Sequence, residues 1–243
     1  MKYILMLGAS SDISVALSRK YATEGFNLYL AGRATEKLES LKTDLEIRYK
    51  VDVKVLQFDG IDYSTHKVFI DSLYPLPDIT ICVFGYMVDE EIANNSWEEI
   101  HKMLNTNFIG PVSILRLISN KYIEAGKGKI IGLSSVAGDR GRKTKLVYGS
   151  AKAGFTTYLD GLRNKLSEHN IHVMTVKPGF VYTKMTEKLD LPKMFTALPE
   201  EVANAIYKAA TKKKNTLYVK WFWKYIMLII KNIPENIFKK LSI

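Results

Sequence analysis

Tyr148 and Lys152 stand four residues apart in the stretch GKIIGLSSVAGDRGRKTKLVYGSAKAG, and Ser135 lies thirteen residues before the tyrosine. On a helix, a spacing of four puts both side chains on one face. An ammonium beside a phenol favours the phenolate and draws the tyrosine pKa down from its ordinary ~10. Such a tyrosine can protonate a carbonyl oxygen as hydride reaches the carbon, or act as base in the reverse direction. Ser135, at the end of an apolar strand, would polarise the same oxygen. The spacing alone says little, because the chain holds 14 tyrosines and Tyr63–Lys67 matches it without supporting context.

Other residues suited to chemistry follow apolar runs. Gly8 opens GASSDIS after the first of them, where backbone N–H groups at a helix start can cradle a pyrophosphate. Ser10 and Ser11 would offer hydroxyls to phosphate, Asp12 would cap the helix, and Ile13 would complete the loop. An ordinary strand-to-helix turn is the plain alternative. Arg33 closes LYLAGR; an acid there suits the ribose 2′-hydroxyl of NAD, whereas an arginine suits the 2′-phosphate of NADP. The spacing therefore predicts NADP(H), with a merely solvated arginine as the alternative. Asp59 would accept a hydrogen bond from the adenine edge or serve as a turn residue in FDGID. Arg140 and Arg142 in GDRGR would pair with a substrate phosphate or stand as solvated loop residues.

These residues need a scaffold, and the hydropathy pattern supplies one. Strands are predicted over Tyr3–Leu7, Asn27–Gly32, Val51–Phe58, Ile79–Phe84, Lys129–Ser134 and His172–Lys177. Helices are predicted over Ile13–Thr23, Thr35–Tyr49, Ser64–Leu73, about Ser96–Ala125 and about Val147–His169. Alternating Val/Ile/Leu-rich strands and helices imply an α/β fold, a doubly wound parallel sheet of the Rossmann type covered on both faces. Ligands in such sheets bind at the carboxyl ends of the strands, which is where the residues above fall.

The chain has 243 residues and no linker-like tract, which predicts a single domain over residues 1–220 and a tail over 221–243. Cys82 is the one cysteine, expected in the core, so a reducing compartment fits. Four histidines lack metal-ligand spacing, and no metal is expected. The first apolar run is too short for a secretory signal, which predicts a cytoplasmic protein. Net charge is +10, but from Ala205 onward there are nine lysines and one acid, Glu235. With the rest nearly balanced, nucleic acid is not an expected partner.

The tail reads KWFWKYIMLIIKNIPENIFKKLSI. Its apolar run is too short for a spanning helix of about 20 residues. If 218–232 is helical, Lys220, Lys224 and Lys231 form a stripe beside Trp221, Phe222, Trp223, Tyr225, Ile226 and Leu228. That pattern suits a helix lying in the interface at the inner face of a membrane. Docking on its own domain or on a second subunit is the alternative. Met185–Thr196 is expected to form a substrate lid.

Taken together, Gly8, Asn107 in NTNFIG, Ser135, Tyr148, Lys152 and VKPGFVYT resemble the short-chain dehydrogenase/reductase family over about residues 1–185. The resemblance implies an NADP-dependent ketone reductase with Tyr148 as acid/base and Ser135 orienting the carbonyl. Lys152 would bind the nicotinamide ribose, and Asn107 would hold a water leading to a proton relay. Gly85 remains from the family's post-strand motif, and Pro178, Gly179, Val181 and Thr183 would line the nicotinamide. The family's Gly-x3-Gly-x-Gly is here Gly8-x3-Asp12-x-Ser14, and Asn-Asn-Ala-Gly is Cys82-Val83-Phe84-Gly85. The resemblance also implies a homodimer or homotetramer formed through the helices at 96–125 and 147–169. GASSDIS, CVFGYMVDE, GDRGRKTKLVYGSAKAGF and VKPGFVYTKMT further resemble reductases of a polyprenyl-phosphate-linked 2-keto pentose, implying a lipid-linked carbonyl substrate. A soluble 3-ketoacyl or polyol reductase and a non-catalytic NADP-binding scaffold are the competing readings.

Overall fold

The computed structural model describes residues 2–187 and 190–241. Seven parallel strands form one sheet in the order β3-β2-β1-β4-β5-β6-β9. The strands are β1 (Tyr3–Leu7), β2 (Asn27–Gly32), β3 (Val53–Gln57), β4 (Ile79–Cys82), β5 (Gly128–Leu133), β6 (Ile171–Pro178) and β9 (Thr216–Val219). Between β6 and β9 a small parallel pair, β7 (Phe180–Val181) and β8 (Thr196–Ala197), stands apart from the sheet.

Successive residues of a strand point to opposite faces, and the core divides accordingly. Ile4 and Met6 of β1 pack toward α1 (Asp12–Thr23), α2 (Thr35–Tyr49) and α8 (Pro199–Thr211). Tyr3, Leu5 and Leu7 pack toward α3 (His66–Asp71), α6 (Gly110–Ala125) and α7 (Leu146–Leu166). Two short helices, α4 (Glu90–Asn94) and α5 (Trp97–Leu104), precede α6. All five residues of β1 are buried, as expected of a strand covered on both faces. The doubly wound sheet inferred from periodicity is the observed fold.

Several expected boundaries differ. The third strand loses Val51 and Phe58, and the fourth stops at Cys82. The expected helix over 96–125 contains a π turn at Asn105–Ile109, where Gly110 N–H bonds to the Asn105 carbonyl. Such turns insert a residue and re-aim side chains, often at functional sites. Here it presents Asn107 inward. Strand β9 has no counterpart in the sequence reading, because four residues among lysines carry little periodic signal. Arg163 of α7 pins that region, donating from Nη2 to Thr175 Oγ1 at 2.7 Å and to the Asn215 carbonyl at 3.1 Å.

The tail is likewise not helical from residue 218. Tyr218 is in β9, Lys220 has a φ of +58°, and helix α9 runs Phe222–Asn232, followed by α10 (Glu235–Phe238). Lys220 leaves the expected stripe and lies 3.9 Å from Glu201. Trp223 and Met227, four apart, turn inward and pack with Val136. A Cβ on Gly179 would come within 2.1 Å of the Trp223 ring. The helix therefore docks on its own domain. Its outer face still exposes Trp221 (74%), Tyr225 (55%), Leu228 (57%) and Ile229 (67%).

Candidate active site

The carboxyl ends of β1, β4, β5 and β6 converge on a cavity of about 330 Å³. Ser135, Tyr148 and Lys152 line it on one side, and Ser10, Ser11, Asp12 and Ile13 on another. Pro178, Gly179, Val181 and Thr183 close it. A second cavity of about 210 Å³ shares Ser10, Ser11, Val83, Gly85 and Met185 with the first. It runs on to Arg33 and Asp59. The sequence reading therefore named residues from seven segments that the fold brings into one continuous cleft.

Tyr148 and Ser135 line the same cavity. Burial pushes the tyrosine up to about 12, and the neighbouring Ser135 hydroxyl works against that rise. Lys152 donates from Nζ to the Leu133 carbonyl at 3.1 Å, and its ammonium is 5.7 Å from the Tyr148 ring centre. Burial drives Lys152 down to about 8. The expected lowering of Tyr148 by Lys152 is thus outweighed here: desolvation disfavours the charged form of each partner. Burial thus favours the protonated phenol of Tyr148.

Asn107 is fully buried, with Nδ2 donating to the Met103 carbonyl at 2.9 Å and to the Tyr86 carbonyl. Its Oδ1 accepts from Tyr86 N at 3.3 Å. The amide thereby fixes the Gly85–Tyr86 backbone. A Cβ on Gly85 would meet Asn107 Oδ1 at 2.9 Å and Lys152 Nζ at 3.6 Å. Only glycine leaves that space open, which explains why this member of the altered post-strand motif is a glycine.

In the phosphate loop, Gly8 has a φ of +86°, a conformation that favours glycine. A Cβ there would also strike Phe84 at 2.7 Å. The helix cap is Ser11 rather than Asp12: its Oγ accepts from Ser14 N at 3.2 Å and donates to Ser14 Oγ at 2.8 Å. Ser14 Oγ in turn donates to the Gly8 carbonyl at 2.8 Å. That chain of bonds stiffens the loop where the family has glycines. Asp12 instead accepts from Lys184 N at 2.8 Å, tying the loop to the segment beyond β7. Sequence reasoning missed this contact because 172 residues separate its partners.

At the far end, Arg33 is exposed on the rim of the smaller cavity. Asp59 Oδ1 accepts from Ile61 N at 3.1 Å in a local turn while its residue still lines that cavity. Arg140 does not face the cleft. Its guanidinium binds carbonyls at the end of α9, so the phosphate pairing expected of it is not what the structure offers. Arg142 is half-buried, with Nε lacking a hydrogen-bond partner and its pKa lowered by burial. Part of the expected lid, Met185 and Thr186, lines the larger cavity, but residues 188 and 189 lie outside the described residues.

A dinucleotide suits this cradle. Backbone open to close approach at Gly8 and Gly85, a helix N-terminus between the cavities and a cation at the ribose end match its length and charge. The family model for short chain dehydrogenases matches residues 2–193, and the chain belongs to that family. Its class is that of the nicotinamide-dependent oxidoreductases. An uncharacterized oxidoreductase of Mycobacterium tuberculosis is 27% identical over 242 residues, covering 98% of this chain and 96% of the relative. A protein named ketoacyl reductase HetN, from Nostoc, is 28% identical over 90% of this chain and 78% of its own. Among solved structures, a short-chain dehydrogenase from Sphingobium yanoikuyae in complex with NADPH superposes with a TM-score of 0.84. It is 20% identical, and the match covers 97% of each chain.

Proposed function

We propose that this protein is an NADPH-dependent ketone reductase acting on a sugar-like, lipid-linked carbonyl at a membrane surface. The observation that carries the reductase reading is the convergence of Ser135, Tyr148 and buried Lys152 on one cavity. When bound, the reduced nicotinamide supplies hydride to the carbonyl carbon. Tyr148 donates its phenolic proton to the carbonyl oxygen, and Ser135 orients that oxygen by a hydrogen bond. Lys152 holds the nicotinamide ribose, and Asn107 fixes the loop against which the ribose lies. Ser10, Ser11, Asp12 and Ile13 flank the pyrophosphate, and Asp59 borders the adenine. Consumption of NADPH across a panel of ketones tests this reading. Tight NADPH binding without turnover across the panel would replace it with a cofactor-binding scaffold.

Arg33 supports NADPH as the cofactor, and the NADPH in the Sphingobium structure agrees with it. We expect Arg33→Ala to lower kcat/KM for NADPH by about 10–100-fold, since a charge-assisted bond to phosphate is worth roughly 1.5–3 kcal/mol. NADH kinetics should change little. Equal losses with both cofactors would remove Arg33 from the 2′-phosphate.

The exposed aromatic and aliphatic face of α9, together with Lys224, Lys231, Lys239 and Lys240, supports interfacial binding. None of the described helices is long and apolar enough to cross a membrane. Phe180, Tyr182, Met185 and Met194 continue the exposed apolar surface toward the cleft, which suits a substrate held in lipid. This is the reading in which the polyprenyl-phosphate-linked resemblance applies, with Arg142, whose Nε has no hydrogen-bond partner among the described residues, as the remaining candidate for a substrate phosphate. The full chain should float with anionic vesicles, and replacing Trp221, Tyr225 and Ile229 together by Ser should abolish flotation. Failure of the full chain to float would favour a soluble ketoacyl reductase, the activity named for the Nostoc relative, and flotation unchanged by the substitution would remove this face of α9 from the contact. Residues 1–220 form the catalytic unit in this proposal, and α6 and α7 its homo-oligomer contact.

A further inference from the structure

Arg140 lies five residues after Ser135, yet its guanidinium is the C-terminal cap of α9. Nη1 donates to the carbonyls of Ile230, Lys231 at 3.2 Å and Ile233 at 2.7 Å. Nη2 pairs with Glu235 Oε2 at 2.9 Å, and the guanidinium lies 3.6 Å from the Phe238 ring centre. A cation at a helix C-terminus complements the helix dipole, and its planar fork satisfies carbonyls that the helix leaves open. The preceding residue is anchored in the opposite direction. Asp139, almost wholly buried, pairs with Lys177 Nζ at 2.5 Å and accepts from the Tyr218 hydroxyl at 2.7 Å. Gly138 presses on the backbone of α7, where an added Cβ would lie 2.7 Å from Ala153 N.

The loop that carries Ser135 is thus clamped at three consecutive residues: to the helix bearing Tyr148, to the end of β6, and to the tail. Between them the turn Val136–Gly138 is closed by Ser135 itself, whose Oγ accepts from Ala137 N at 3.1 Å. Val136 packs on Trp223 and Met227 from the same tail. Two of the loop's contacts therefore depend on α9.

We infer that Arg140 is a positioning residue: by holding the end of α9 it fixes the Ser135 loop, so that tail docking sets the catalytic serine. This rests on the reading of Ser135 as the group that orients the carbonyl. Coupling of this kind is reciprocal, so loosening the tail at a distant point must loosen the loop.

Hydrogen exchange on the full chain, with and without NADPH, tests it in Arg140→Met and Phe238→Ala. Exchange at the Ala137 and Gly138 amides is expected to rise about tenfold in both variants, along with exchange in α9, while β1 and α2 stay unchanged. With phenanthrenequinone as a probe ketone, kcat should fall about tenfold while KM for NADPH stays within about twofold. Arg140→Lys should recover part of kcat, because one ammonium keeps the charge without the fork. Faster exchange in α9 with no change at Ala137 and Gly138 overturns the inference, as does unchanged exchange in α9. If the wild type reduces no ketone, the reductase reading falls, and the exchange data still decide whether Arg140 fixes the loop.

Discussion

Tyr148→Phe is expected to lower kcat by about 10³-fold while leaving NADPH affinity within about twofold. General acid catalysis is worth roughly 10²–10⁴, and phenylalanine removes the donor while keeping the ring that packs in the site. The fold should survive, because Tyr148 lines the cleft and phenylalanine keeps the ring that packs there. Burial holds the wild-type tyrosine protonated far above neutral pH. Carbonyl reduction, which needs the acid form, should therefore stay flat through neutrality and decline only as the phenol ionises. Alcohol oxidation, which needs the base form, should climb over the same range. Steady-state rates in both directions check this, together with NADPH fluorescence titration. Turnover within tenfold of wild type would remove Tyr148 from proton transfer.

Lys152→Met should abolish most activity and stabilise the protein. The lysine is 4% exposed, and burial has driven its pKa from 10.5 to about 8. A difference of that size amounts to about 3 kcal/mol against the charged form. Between those two pH values the unfolded chain binds more protons than the folded one, so wild-type stability rises with pH across that window. The penalty is whole below about pH 8 and fades as pH approaches 10.5. Methionine carries no charge and fills similar space. The variant should therefore melt about 6–12 °C higher at pH 7, with the gap closing by about pH 10.5. Calorimetry at several pH values reads this directly. A variant less stable than wild type at pH 7 would mean that the bond to Leu133 outweighs the desolvation cost. A catalytic group held at a stability cost is expected where function needs a charge in a dry site.

Much of this protein was legible in one dimension because its signals are local. Alternating apolar runs mark a covered parallel sheet, since each strand must be apolar on both faces. Tyr148 and Lys152 share a face by helical period alone. Ser135, Gly8 and Arg33 each stand at the end of an apolar run, and a parallel sheet places all such ends on one edge. Arg140 shows the limit. Beside Ser135 its charge read as a phosphate ligand, because nothing nearby in sequence offers it acceptors. Its carbonyl partners lie about ninety residues away.

The phosphate loop GASSDIS divides in the same way. A close strand-to-helix loop without the usual glycines is compatible with these residue types, because Ser14 is small and Gly8 alone takes a positive φ. Which side chain caps the helix is a matter of rotamer, and Ser11 rather than Asp12 occupies that position. Asp12 is drawn to Lys184 N by a chain that returns only after β7. The tail's two faces are decided in the same manner. Its composition announced an amphipathic helix, but which face is buried depends on Gly179 and Val136 meeting Trp223 and Met227. Sequence alone determined what is set by local period and by residue chemistry: the sheet and most of the residues that line the cleft. Tertiary structure decided what depends on partners distant along the chain, because burial and long-range hydrogen bonds select among the contacts that each residue type permits.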